Sequence, residues 1–327
     1  MNNPSPTEAA VAATTPGIAR RWRPTPLIAG ASALHVGAAA AVAFVPATWP
    51  WAAGSVIASH LVLVAAGLWP RSALLGPNWT VLPEHAAGQI ALTIDDGPHP
   101  DVTPRVLDLL DRHGAQATFF CIGDAARRYP QWIEAIVARG HAVENHSQQH
   151  RHHFSLLGPG ALRREIQAAQ NTLAEISGVR PLFFRAPAGL RNPFLEPVLC
   201  ELGLTLASWT RRGFDTRTRE PAVVTERLLR GLAPRDILLL HDGNAARDAR
   251  GEPVVLGVLP AVLEAAAAAG LQCTTLRAAL TSATLAAQPA SPAGTRVAPD
   301  RLANIQSDGT RTTGCPTPHT SHGNRRR

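Results

Sequence analysis

The 327 residues read as a parallel, barrel-like α/β domain of about seven strands, preceded by a two-helix transmembrane hairpin. Three observations predict this. Between about residues 88 and 280, short apolar runs alternate with helical patterns, the signature of repeated βα units. Polar, titratable groups recur where those runs end. Ahead of the domain stand two uncharged stretches of 19 residues, Leu27–Val45 and Trp51–Trp69.

Residues 1–19 are rich in Pro, Thr and Ala, a composition that predicts disorder. Arg20, Arg21 and Arg23 then precede the first uncharged stretch. At about 1.5 Å per residue, each stretch spans roughly 28 Å, near the thickness of a bilayer's hydrocarbon core. Trp49, Trp51 and Trp69 sit at the ends, where aromatic belts form. The connector Pro46–Pro50 is uncharged and both outer ends carry Arg (Arg23 and Arg71). The positive-inside rule then gives a hairpin in a bacterial inner membrane with both ends, and the domain, in the cytoplasm. The rival reading is a signal peptide that starts at Arg20-Arg21 and is cut in the small-residue run 37–43. His35 and His60, one in each stretch, read as packing residues. The expected units are a disordered 1–25, a hairpin over 26–70, a domain over 85–285 and a disordered tail over 286–327. The composition turns rich in Ser, Thr, Pro and Gly from residue 281 onward.

The net charge of +7 lies outside the domain: +3 in residues 1–80 and +4 in 281–327, with 21 Arg against 21 acids between them. A nucleic-acid binder would carry its basic excess on the folded domain, so nucleic acid is not expected as a partner. The four cysteines form no CxxC pair and give no disulfide framework. Three of them sit in apolar surroundings and read as buried free thiols, which favours a reducing compartment.

The candidate strands are Ile90–Ile94, Ala117–Ile122, His141–Asn145, Leu182–Ala186, Thr205–Trp209, Asp236–His241 and Leu271–Thr275. Helical patterns lie between them, as in Ala161–Ile176, with Leu162, Ile166, Ala169 and Leu173 on one face, and in Val254–Ala269. In parallel barrels the chemistry sits at the C-terminal ends of strands. The first run ends in Asp95-Asp96-Gly97-Pro98. Adjacent carboxylates repel unless a cation or a partner separates them; the plainer alternative is an Asp-Gly turn with solvated acids. The third run leads into Glu144-Asn145-His146-Ser147-Gln148-Gln149-His150. Four residues apart, His146 and His150 would share one face of a helical turn. With one carboxylate they would form a two-His, one-carboxylate set that leaves a position open for water, as in catalytic zinc sites. The alternative is a pair of solvent-exposed histidines, and His152 and His153 read that way. Arg185-Ala186-Pro187-Ala188-Gly189 closes the fourth run. Trp209 and Gly213-Phe214-Asp215 follow the fifth, and Leu239-Leu240-His241-Asp242-Gly243 closes the sixth.

In this order, these five segments resemble the five motifs of the polysaccharide deacetylase family, also called the NodB-homology domain or carbohydrate esterase family 4. The resemblance covers roughly residues 88–280, about 60% of the chain. It implies a distorted (β/α) barrel that uses a divalent metal, Zn2+ being the best match, to remove N-acetyl groups from amino sugars. It implies Asp95 as general base, paired with Arg185, and Asp96 as a metal ligand beside His146 and His150. His241 would be the general acid, oriented by Asp215, and the main-chain N–H of Ala188 the oxyanion donor. Pro187, Trp209 and Leu239 would contact substrate. The chemistry agrees: a metal-polarised amide still needs a base for the attacking water and an acid for the leaving amine. Nickel, cobalt or manganese would also suit such mixed N/O ligands.

The chain departs from the family's usual pattern at Ile94 (often Phe), Ala188 (often Tyr), Thr216 (often Trp) and Arg212 (often acidic). The last three alter the surroundings of the substrate and leave the catalytic set intact. Arg211, Arg212, Arg217 and Arg219 cluster there, either to meet an anion such as a phosphate or as a solvated basic loop. The reading is a membrane-anchored hydrolase of an N-acetyl or similar N-acyl group on an amino sugar. With a hairpin, a lipid-linked sugar or a cytoplasmic oligosaccharide is the expected substrate; with a signal peptide, a periplasmic glycan. The alternative is a catalytically silent, membrane-tethered glycan-binding module, which loss of the base, a ligand or the acid would mark.

Overall fold

Strand β1 (Gln89–Asp95) is the hub of the sheet, and from Ile90 onward every residue in it is buried. In the computed structural model, which describes residues 20–286, it pairs with three strands. β2 (Thr118–Cys121) and β7 (Ile237–His241) flank its C-terminal half, and β8 (Gln272–Thr274) pairs with its first residues. Beyond β2 come β3 (Ala142–Asn145), β4 (Phe183–Phe184) and β5 (Thr205–Leu206); beyond β7 comes β6 (Arg211–Arg212). All seven pairings are parallel, as expected of a curled (β/α) barrel whose strands are buried on both faces. The expected strands are all present. The eighth, β6, carries no apolar signal because both of its residues are Arg.

Successive strand residues face opposite sides, and this alternation sorts the core into two layers. Ile90, Leu92 and Ile94, with Phe119, Leu238 and Leu240, pack outward against helices such as Thr103–Arg112 and Val254–Ala268. Ala91, Phe120, Phe183, Ile237 and Leu239 form an inner cluster with Trp209. The inner row of β1 therefore continues through Thr93 to Asp95, and that of β7 ends at His241. The helix Pro159–Ser177, close to its expected span, starts with Pro and stops at Gly178, whose φ of 71° is the left-handed C-cap.

Two boundaries differ from expectation. Residues 71–84 fall between the expected hairpin and domain, yet they belong to the barrel. Leu75 and Leu82 are buried, Trp79 bridges Ala207 beside β5, and Val81 bridges Asp236 beside β7. This segment spans the side of the sheet that β5 and β6 leave open. The helix Leu276–Ala286 carries order past residue 281, with Leu276 and Ala279 packed into the inner cluster. Residues 1–19 and 287–327, the bulk of the expected disordered ends, lie outside the described residues.

Two helices, Pro26–Phe44 and Trp49–Leu68, occupy the uncharged stretches, joined by a single turn at Pro46–Thr48. Both are long and apolar enough to cross a membrane, and of their residues only Ala66 and Gly67 are buried. His35 and His60 meet edge to face, 5.0 Å between ring centres, as packing residues do. The second helix ends against the barrel mouth. Arg191 N donates to Gly67 O, and Pro70 O accepts from Ser208 Oγ at 2.7 Å.

Candidate active site

The last inner residue of β1 is Asp95, 3% exposed. Its Oδ1 accepts from Arg185 Nη1 at 2.7 Å. Arg185 follows β4 and is itself buried, donating also to Thr93 Oγ1, Ala207 O and Ser208 O. Its guanidinium lies 4.1 Å from the centre of the Phe120 ring. Burial pulls the pKa of Arg185 down and the Asp95 carboxylate works against that pull. The arrangement is a buried, hydrogen-bonded ion pair, fixed from three sides.

Strict alternation would turn Asp96 to the opposite face. Instead its φ is 74°, a left-handed conformation that a non-glycine residue adopts only when its surroundings impose it. Gly243, in the turn after β7, is the matching concession, since a Cβ there would overlap the Asp96 carbonyl. Both carboxylates thus enter one cleft.

Asp96 Oδ1 stands 3.2 Å from His146 Nε2 and 3.2 Å from His150 Nε2, yet it is buried with no hydrogen bond. His146 Nδ1 contacts Arg185 O at 2.9 Å, and a carbonyl can only accept, so Nδ1 carries a proton and Nε2 is the atom turned toward the acid. Burial opposes a charge on His146, but the fields of Asp95 and Asp96 outweigh it and raise its pKa; the acids demand positive charge here. Against the effect of burial, contact with His146 holds Asp96 well below the usual carboxylate range. Burial and His146 push His150 down to about 4, which leaves it neutral. Three donor atoms within 4.8 Å of one another, an orphaned carboxylate oxygen and two imidazole Nε2 atoms turned toward it fit a divalent cation.

The two histidines do not share a helical turn as their spacing predicts. Ser147 (φ 67°) and His150 (φ 51°) are left-handed, and side chains secure the loop. Asn145 Oδ1 accepts from Ser147 N, and Ser147 Oγ from His150 N. The rings still converge, with centres 4.8 Å apart.

Across the cleft, His241 Nδ1 lies 2.9 Å from Asp215 Oδ1, and its main-chain N donates to Asp215 Oδ2 at 2.7 Å. Burial lowers the pKa of His241, but hydrogen bonding and charge from Asp215 prevail and raise it to about 8. The cleft itself measures about 410 Å3, and Ala188, Trp209 and Leu239 line it beside the acids and histidines. Ala188 is exposed and left-handed (φ 55°). Pro187 is buried beneath that turn, and Gly189 reaches the cleft in its place.

Comparison with known proteins fits this geometry. A family profile described as polysaccharide deacetylase matches residues 83–207. A chitooligosaccharide deacetylase of Azorhizobium caulinodans is 37% identical over 157 residues, which cover 47% of this chain and 73% of that protein. The chain belongs to the polysaccharide deacetylase family. A peptidoglycan-N-acetylglucosamine deacetylase, PgdA, of Listeria monocytogenes is 34% identical, the match covering 47% of this chain and 32% of PgdA. Among solved structures, a family 4 carbohydrate esterase from Streptomyces lividans in complex with acetate superposes with a TM-score of 0.52. It is 30% identical, and the match covers 57% of this chain and 92% of that one.

The profile match stops before Asp215 and His241, but the fold brings His241 to the same cleft as the deacetylase motifs it contains, with Asp215 buried behind it. Ala188 and Thr216, where the family often has aromatic residues, both line the cleft, so it has less aromatic wall than the family pattern implies. Three residues escaped the sequence reading. Asn244 Nδ2 donates to Asp96 Oδ2 at 3.0 Å, and its place three residues after His241 was the available signal. His152, read as a surface residue, lines the cleft. Asp242 is buried and accepts from Thr103 Oγ1; burial raises its pKa to about 7. Glu144, at the end of β3, turns out to be structural. It accepts from Leu182 N, Phe183 N and Arg277 Nη2.

Proposed function

We propose that the protein is a membrane-anchored, metal-dependent hydrolase that removes an N-acetyl or similar N-acyl group from an amino sugar, in a glycan or on a lipid carrier. One observation carries this reading: Asp95 and His241, each held by a buried partner, face one cleft together with Asp96, His146 and His150. Amide hydrolysis needs a base for the attacking water, a donor for the oxyanion and an acid for the leaving amine. Asp95 is the base, held in place by the charge-assisted hydrogen bond from Arg185. His241 is the acid: with a pKa of about 8 it is protonated at neutral pH. Asp215 occupies Nδ1, leaving Nε2 to release the proton. The main-chain N–H of Ala188 serves as the oxyanion donor, which accounts for a strained, exposed residue at the cleft.

Asp96, His146 and His150 would hold the cation, Zn2+ by donor type, and when bound it would polarise the amide carbonyl and acidify water. Trp209 and Leu239 contact the sugar, and Pro187 supports the Ala188 turn from below. The two apolar helices, flanked by Arg23 and Arg71, support a hairpin in the inner membrane with the cleft on the cytoplasmic side. Because Pro70, just past the second helix, touches the cleft's rim, a lipid-linked amino sugar fits better than assembled peptidoglycan.

The test is acetate release from N-acetylated chito-oligosaccharides by the full-length protein, metal-stripped and zinc-reloaded, beside Asp95→Asn. Zinc-dependent release that Asp95→Asn abolishes supports the reading. Zinc binding without release from any N-acyl amino sugar overturns it in favour of the glycan-binding module. An impermeant thiol reagent, applied to intact cells with one Cys placed near residue 48 and another in the tail, tests the hairpin. Labelling at both sites rules it out.

A further inference from the structure

The cleft contains a cation that amide hydrolysis does not use. Arg212 sits on β6 in register with Leu239, and its side chain enters the cleft. Arg211, one residue earlier, points the other way and is fully engaged, donating to Asp236, Arg230 O and Gly231 O. Arg212 makes no ion pair and no side-chain hydrogen bond among the described residues, and its Nε is buried without a partner. It rests over two rings, 5.3 Å from the centre of Trp209 and 5.1 Å from that of Phe214. Three acids reach it with their fields and each is committed elsewhere, Asp95 to Arg185, Asp215 to His241 and Asp96 to the His146–His150 cluster. Arg217 lines the same cleft, close enough for its charge to oppose that of Arg212. Stacking explains where the Arg212 guanidinium lies. It does not explain why a half-buried cation has no acceptor or why a second cation adjoins it.

We propose that Arg212 and Arg217 form an anion subsite of the cleft, and that the amino sugar it takes carries a phosphate group. The proposal rests on the deacetylase reading and narrows its substrate. A lone carboxylate would leave one guanidinium uncompensated, whereas a phosphate offers oxygens to two forks at once. Neutral chito-oligosaccharides offer this pair nothing. The phosphate could belong to a lipid-linked sugar held at the bilayer or to a soluble sugar phosphate; both present the same group to Arg212.

The experiment uses the full-length protein in detergent with three N-acetylated substrates: N-acetylglucosamine 1-phosphate, the same sugar phosphate esterified to a polyprenyl chain, and neutral chitotetraose. The readout is the ratio of kcat/KM for each phosphate substrate to that for chitotetraose. Arg212→Gln should lower this ratio about tenfold or more, mainly through KM, with partial recovery in Arg212→Lys. Arg217→Gln, at an exposed position, should shift it in the same direction. Calorimetry with N-acetylglucosamine 1-phosphate on Asp95→Asn reads the subsite without turnover, and adding Arg212→Gln should weaken that binding. A ratio and a binding constant both indifferent to Arg212 and Arg217 overturn the proposal, even if acetate is released. Arg212-dependent binding without acetate release from any substrate leaves the subsite standing and removes the deacetylase reading. A preference for the polyprenyl ester over the free sugar phosphate assigns the phosphate to a lipid carrier, and equal rates assign it to a soluble sugar.

Discussion

Asp95 and His241 are register partners on the adjacent parallel strands β1 and β7, so their side chains leave the sheet on the same side. Each is then fixed by a buried group from another strand end: Arg185 after β4 for the first, Asp215 after β6 for the second. The separation of the proposed base and acid is thus set by sheet register. A slip of one residue would turn either side chain out of the cleft.

His241 gives this pair a basic limit. Its pKa of about 8 means that kcat should fall as pH rises through about 8. Asp215→Asn removes the carboxylate that does most to raise this pKa and leaves burial opposed by the fields of Asp95 and Asp96 alone. The limb should then move to lower pH, with the rate at pH 7 reduced about tenfold or more. A pH profile of acetate release reads both effects. The stability consequence has a definite sign. A pKa raised above its unfolded value of 6.5 stabilises the fold fully below about pH 6.5, and that contribution fades as pH rises to about 8. Denaturant melts at pH 6 and pH 9 should therefore show a larger difference between the two pH values in wild type than in Asp215→Asn.

Arg185 should prove structural as well as functional. Arg185→Met leaves Asp95 buried without its cation and deprives Thr93 Oγ1, Ala207 O and Ser208 O of a donor. A loss of about 3–5 kcal/mol in urea denaturation is expected, together with loss of activity. Arg185→Lys should recover little of either, because one ammonium cannot reproduce a planar fork that donates in several directions.

The parts of this architecture that sequence reveals are those written in side-chain periodicity. The apolar runs of β1 and β7 announce buried strands, and their polar ends announce the cleft. β6 has no such signature: its two residues are Arg, and register with Leu238 and Leu239 alone makes it a strand. The spacing of His146 and His150 identifies the right pair but implies a helix, because the left-handed backbone at Ser147 and His150 leaves no mark in residue type. The same spacing logic cannot separate Arg211 from Arg212. Only the sheet shows that one is spent on Asp236 and the other faces the cleft.

The three-ligand cluster predicts a graded response to mutation. Asp96→Asn and His146→Gln should abolish zinc binding in titration calorimetry. Asn244→Ala removes the hydrogen bond to Asp96 Oδ2 without removing a ligand, and should weaken zinc affinity about 10–100-fold. A cation that binds the folded chain alone adds about 2.7 kcal/mol at a hundred times its Kd, so zinc should stabilise the protein by that amount and chelation should reverse it. If Asn244→Ala binds zinc as wild type does, its hydrogen bond does not tune the ligand.

The segment between hairpin and barrel predicts where the domain can be cut. A chain starting at residue 85 lacks Leu75 and Leu82, which are 1% and 0% exposed, and Trp79, whose bridge to Ala207 helps close the sheet. The two leucines alone are worth roughly 3–6 kcal/mol of apolar burial, a large part of the 5–15 kcal/mol typical of a folded domain. Their loss also uncovers the edge of β5, where Trp79 N bonds Leu206 O and Trp79 O accepts from Ser208 N. An unpaired strand edge beside an exposed apolar cluster invites association. A chain of residues 85–286 should therefore aggregate or melt early, whereas residues 70–286, which keep Pro70, Leu75, Trp79 and Leu82, should unfold cooperatively. Circular dichroism melts of the two fragments decide this. Equal midpoints would mean that the barrel closes without the segment.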